Sequence, residues 1–99
     1  MLTVGKDNIG AGETKHYGIR MTNRLTDVLG NAVTISGTPT VNGVNCTVTY
    51  LSASGGIVSI RAVPSITPPP GQTARAEAQV TVTLSNGEVI PMKIDLIVV

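Results

Sequence analysis

Between Ala74 and Val98, apolar and polar residues alternate with one parity that survives a turn. Ala74, Ala76, Ala78, Val80, Val82 and Leu84 fall on one face, against Arg75, Glu77, Gln79, Thr81 and Thr83 on the other. Ile90, Met92, Ile94, Leu96 and Val98 then share a face, with Val89, Pro91, Lys93 and Asp95 opposite. Successive side chains of a strand point to opposite faces, so this segment predicts a half-buried antiparallel hairpin. The same parity selects the turn. A two-residue loop at Asn86-Gly87 would set Leu84 against Val89 and Val82 against Pro91, with apolar residues on opposite faces, and a one-residue slip reverses every side chain. A three-residue loop, Ser85-Asn86-Gly87, keeps the faces consistent: a type I turn with Gly87 left-handed and forming a bulge. The expected pairs are then Val82 with Ile90, Val80 with Met92, Ala78 with Ile94, Ala76 with Leu96 and Ala74 with Val98. Large residues meet small ones, and a second sheet is needed to fill the space above the alanines.

The remaining pattern is shorter-ranged. Leu2 to Val4 reads as a short strand followed by a glycine-rich loop, so residues 1–13 are expected to form an N-terminal arm. Thr14 to Thr22 predicts a strand with Tyr17, Ile19 and Met21 on one face and His16, Gly18 and Arg20 on the other. Asn23 to Asn31 reads as a loop with room for a helical turn at Leu25–Leu29. Ala32 to Ser36 reads as a strand broken by Gly37-Thr38-Pro39. Asn42-Gly43 is a turn signal leading into a strand over Val44–Leu51, in which Val44, Cys46, Val48 and Tyr50 share a face. Ser52 to Gly56 reads as a flexible connection, and Ile57 to Val63 as a strand with Val58, Ile60 and Ala62 on one side. Pro68-Pro69-Pro70-Gly71 favours an extended polyproline segment without ladder donors, read as a crossover between sheets. About seven short strands separated by Gly and Pro predict one all-β domain over residues 1–99, an immunoglobulin-like antiparallel β-sandwich.

Composition narrows the function classes. The 99 residues include no Phe, no Trp and two Tyr, so the core is built from Ile, Val, Leu, Met and Ala. Only 13% of residues are charged while mean hydropathy is +0.27, which leaves a surface of Thr, Ser, Asn and Gly. Such a surface, on a domain small enough to bury only a limited share of itself, implies cover in an assembly. The net charge of +1 and the scattered arginines, with no aromatics between them, argue against nucleic acid as a partner. No apolar run reaches membrane-spanning length. The lone Cys46 cannot form an internal disulfide, and Met1-Leu2-Thr3-Val4-Gly5-Lys6 lacks the basic start and apolar core of a secretory signal. Synthesis in a cytoplasm is the expectation.

Candidate chemistry is sparse. His16 has no Ser, Cys or carboxylate at an activating spacing, and Cys46 lies on the apolar parity of its strand, where a thiol behaves as a small hydrophobe. Asn45-Cys46-Thr47 matches a glycosylation acceptor, which has no use without secretion. The six carboxylates show no paired or calcium-loop spacing. Glu77 diagonal to Lys93 and Arg75 diagonal to Asp95 predict exposed cross-strand pairs. Gly10-Ala11-Gly12 lacks the strand–helix setting of a nucleotide loop. The expectation is a non-enzyme with no cofactor and no metal. Interaction features remain: the Pro68, Pro69 and Pro70 crossover, and the residues Val89, Ile97 and Val99 on the polar parity of the last strand. Pro91 removes a ladder donor mid-strand, so the strand is either an edge there or bulged, and edges invite other chains.

Three segments carry a resemblance: AVTISGTP (Ala32–Pro39), CTVTYLS (Cys46–Ser52) with the Gly-Gly that follows, and AEAQVTVTLSNGEVIPMKIDLIV (Ala76–Val98). They resemble the short immunoglobulin-like β-sandwich proteins of tailed-bacteriophage virions, with two departures. No Trp stands in Ala32–Ser36, and Ile57–Gly71 looks like an insertion. The resemblance implies a virion location and a head-decoration or cement role without catalytic residues. It further implies major capsid protein or other virion subunits as partners, and the sparse surface charge adds homo-oligomerisation. The alternatives are a tail or head–tail adaptor module, or a carbohydrate-binding or host-adhesion module. Sugar sites favour exposed aromatics, and only Tyr17 and Tyr50 are available, both on apolar parities.

Overall fold

The computed structural model describes residues 1–21 and 32–99. Seven strands follow one another: β1 (Leu2–Ile9), β2 (Lys15–Arg20), β3 (Thr40–Val44), β4 (Cys46–Ser54), β5 (Ile57–Pro64), β6 (Ala74–Thr83) and β7 (Val89–Val98). They build a four-stranded sheet, β1-β7-β6-β3, and a three-stranded sheet, β2-β5-β4. In an immunoglobulin constant-type sandwich the second, fifth and fourth strands share one sheet, and the third, sixth and seventh the other; both sets recur here. The first strand departs from that plan. It pairs with β7 in parallel, Leu2 opposite Met92 through Ile9 opposite Val98, with a bulge between Thr3 and Gly5. The sandwich is therefore not wholly antiparallel, and residues 2–9 are a sheet strand rather than part of a free arm.

The β6–β7 hairpin has the register that parity demands, from Ala74 opposite Val98 to Val82 opposite Ile90. Its turn closes with the Leu84 amide on the Glu88 carbonyl (2.8 Å) and the Gly87 amide on the Leu84 carbonyl (2.9 Å). Gly87 has φ 88°, and the Asn86 side chain accepts from the Glu88 amide at 3.0 Å. Leu84 and Glu88 thus form a hydrogen-bonded pair. Alternation then makes Thr81 opposite Pro91 a non-hydrogen-bonded pair whose backbone groups point away from each other. The β1 ladder begins only at Met92, so the missing N–H of Pro91 faces a gap in the sheet. Of the two options for Pro91, the local edge is the one realised.

Buried residues from both sheets form one cluster, including Ile9, Ile19, Met21, Val58, Ile60 and Ala62 with the inner faces of β6 and β7. Fully burying an aliphatic side chain of this size contributes roughly 1.5–3 kcal/mol. The second sheet fills the space above the alanines, as the large-on-small pairing requires.

Several expectations change in the middle of the chain. Ala32–Ser36 is not a continuous strand: Ala32 and Ile35 are isolated bridge residues, the latter opposite Leu84. Asn42-Gly43 is not a turn but lies inside β3, pairing with Gln79 and Ala78. The reversal falls at Asn45 (φ 56°), and a β-carbon at Gly43 would overlap the Cys46 carbonyl. The glycine is there for close backbone approach. Val44 consequently leaves the face of Cys46 and is exposed. Ser52 to Gly56 is not a flexible connection: β4 runs to Ser54, and Gly55 and Gly56 (φ 60° and 76°) form a tight two-residue turn into β5. The loop expected over Asn23–Asn31, with its helical turn at Leu25–Leu29, lies outside the described residues.

Candidate interaction surface

The outer face of the four-stranded sheet follows from the strand registers. Thr40, Thr81 and Pro91 make one row; Asn42, Gln79, Lys93 and Thr3 make the next; Val44, Glu77, Asp95 and Lys6 make a third. The middle of this face is a self-satisfied polar network. Lys93 Nζ donates to Glu77 Oε1 at 3.0 Å and lies 3.3 Å from Asp95 Oδ1. Gln79 Nε2 donates to Glu77 Oε2 at 3.0 Å, and Asn42 Nδ2 to Gln79 Oε1 at 3.2 Å. The Gln79 amide and the Lys93 ammonium hold the Glu77 carboxyl below its usual range, and Glu77 with Asp95 holds Lys93 above its own. The expected Glu77–Lys93 pair forms across the strands and is half-buried. Arg75 and Asp95 form no ion pair among the described residues. A shallow depression of about 190 Å³ lies between Lys6, Arg75, Lys93, Asp95 and Ile97.

Apolar residues flank this network at both ends of β7. Val89 (57% exposed) and Pro91 stand at the hairpin end, while half-buried Ile97 and exposed Val99 stand at the other. Eight residues of strand separate Val89 from Ile97, about 27 Å at the usual rise, so the four do not form one patch. The Val99 amide donates to the Ile9 carbonyl (2.9 Å), which holds the backbone at Val99 against β1 and leaves its side chain outside. Pro68 is half-buried and Pro69 and Pro70 are exposed on the crossover from β5 to β6. The Gln72 amide donates to the Pro69 carbonyl (3.0 Å) and Gly71 has φ 76°, a type II turn with Pro70 in its favoured place. Because Ala74 pairs with Val98, these prolines belong to the Ile97–Val99 end. Ser85, Asn86 and Gly87 cap the opposite end.

One cluster escapes sequence reasoning. Asp7, on the inner parity of β1, reaches across the sandwich to β2. Lys15 Nζ donates to Asp7 Oδ2 (3.0 Å) and to the Asn8 carbonyl (2.9 Å), and the Tyr17 hydroxyl donates to the same Asp7 oxygen (2.8 Å). The bonds from Lys15 and Tyr17 lower the Asp7 carboxyl, while burial and then the Asp7 charge raise the Tyr17 phenol. The cluster closes one end of a cleft of about 420 Å³ between β1 and β2, walled by Val4, Gly5, Gly18, Ile19, Arg20 and Ile94. No sequence signal could locate it, because it exists only once β1 is known to lie beside β2.

The remaining reactive side chains stand apart. His16 is exposed opposite Arg61 on the outer face of the other sheet. Cys46 is buried, its thiol donating to the Glu77 carbonyl at 3.0 Å, and burial pushes its pKa up. Among the described residues no three metal-ligating side chains converge. Compared with known proteins, the chain matches no family model, no curated protein and no solved structure.

Proposed function

We propose that the protein is a non-enzymatic structural subunit of a tailed-phage virion, a capsid decoration or cement protein that stabilises the head by binding major capsid protein. The observation that carries this reading is the distribution of polar groups. The central charges of the outer sheet face are spent on one another, while apolar side chains at both ends of β7 remain open. A surface of that kind is suited to contact rather than to turnover. The sparse charge of the whole chain and the resemblance carried by Ala76–Val98 support the same reading. The sugar-binding alternative loses its main support, because Tyr17 and Tyr50 are both half-buried and packed against the core.

Co-sedimentation with purified, undecorated tailed-phage heads tests the proposal. Saturable binding with a rise in the temperature at which the heads break open is expected. Recovery of all the protein in the supernatant would remove the decoration reading, and recovery on purified tails instead would replace it with the adaptor role.

A further inference from the structure

The two sheets end in four edge strands, and these are not equivalent as templates for another chain. β1 carries an inward-facing charge at Asp7 and a bulge at Thr3/Gly5, and β2 carries Lys15, His16 and Arg20. Inward charges and bulges are the features that keep sheet edges from pairing. β3 has only five residues, and its Gly43 runs against the Cys46 carbonyl. β4 has a bulge of its own, between Tyr50 and Ser52, but its Cys46–Tyr50 stretch is regular and it differs from the other three in composition. Its nine residues, Cys-Thr-Val-Thr-Tyr-Leu-Ser-Ala-Ser, contain no charge and no proline. They combine β-branched and aromatic side chains with zero net charge, the composition that favours strand-to-strand association.

The backbone of β4 is presented for such pairing. The two-residue turn at Gly55-Gly56 makes Ser54 opposite Ile57 a hydrogen-bonded pair, and Pro64, lacking an N–H, requires Cys46 opposite Pro64 to be a non-bonded one. Counting from either end gives the same phase across the bulge. Thr47 and Thr49 bond inward to β5, whereas Val48 and Tyr50 direct their N–H and C=O groups to the open edge. Among the described residues no backbone group bonds to them from that side. Thr47 and Thr49 place their side chains on the solvent face, and Leu51 beside them is 42% exposed.

We propose that two copies of this chain pair β4 to β4, antiparallel about a two-fold axis, joining their β2-β5-β4 sheets into one continuous sheet. The occupant is a second copy because an uncharged strand opposes itself without repulsion, and a two-fold axis presents the same strand to itself. The inference rests on the virion-subunit reading, which makes the protein part of an assembly, and it adds a surface through which copies pair.

Size-exclusion chromatography with light scattering on the full chain tests it. The wild type is expected at twice the 10.2 kDa monomer mass. Thr47→Lys/Thr49→Lys and Thr47→Glu/Thr49→Glu each set like charges against each other across the axis and should weaken dimerisation about a hundredfold. Mixing the two doubles should restore a mixed dimer, which an unfolded variant could not form. A wild type that stays monomeric at its highest soluble concentration, or a dimer that survives both doubles, would overturn the pairing. The two proposals fail separately: a dimer that ignores phage heads removes the virion reading alone, and a monomer that binds heads removes the pairing alone.

Discussion

Gly87 and Gly43 are required for different physical reasons. Gly87 has φ 88° with open space around its Cα, so a side chain there meets no neighbour and suffers only from the left-handed backbone. Gly87→Val is accordingly expected to cost roughly 1–2 kcal/mol in thermal or urea unfolding, and an unchanged midpoint would contradict the turn. Gly43 has no such φ and instead makes room for the Cys46 carbonyl as the chain passes from one sheet to the other. This explains why its dipeptide misleads. Asn-Gly is a strong hairpin signal, yet here the reversal sits two residues later, at an Asn in left-handed conformation, and the glycine serves packing. At Gly55-Gly56 the opposite occurs: two residues that look merely flexible have the paired positive φ of a hairpin turn.

Among the strands, legibility tracks apolar parity. β6 and β7 could be paired residue by residue because every second side chain is buried and the turn length is fixed by that alternation. β1 could not, since Ile9 is its one buried residue and its bond to β7 is parallel, with no connecting turn to read. The Asp7–Lys15–Tyr17 cluster was hidden for the same reason. Parity also ranks substitutions on β7. Leu96→Ala, on the buried face opposite Ala76, should cost about 2–5 kcal/mol, whereas exposed Val89→Ala should stay within about 0.5 kcal/mol, as chemical denaturation would show. The polar clusters set the acid response. Asp7 and Glu77 titrate below their ordinary values of 3.8 and 4.5, so their stabilisation is present above those values and is lost as pH falls through the lowered folded ones. The melting temperature should therefore drop below about pH 4. Asp7→Asn/Glu77→Gln should flatten that drop, and an unchanged slope would show that neither carboxylate contributes. Lys93, raised, acts in the other direction: its contribution holds at neutral pH and fades only as pH rises through its folded value.

As a whole the molecule is elongated, 52 × 21 × 18 Å, with a radius of gyration of 14.7 Å against about 13 Å for a compact chain of this length. A long, thin sandwich without large aromatics has little depth of core and much edge, so association should add to its stability. If copies pair, the apparent melting temperature should rise with protein concentration by mass action, and identical melts over a wide dilution series would argue for an isolated monomer. The parallel union of β1 and β7 has a further effect on how the molecule is made. Leu2 sits opposite Met92, so all the strands between them must leave the ribosome before β1 can find its partner. Closing so distant a contact is slow, and until then the nascent β6–β7 side of the sandwich lacks its edge. Completion of the sandwich thus waits for the synthesis of β7, with β1 among the last strands to be placed.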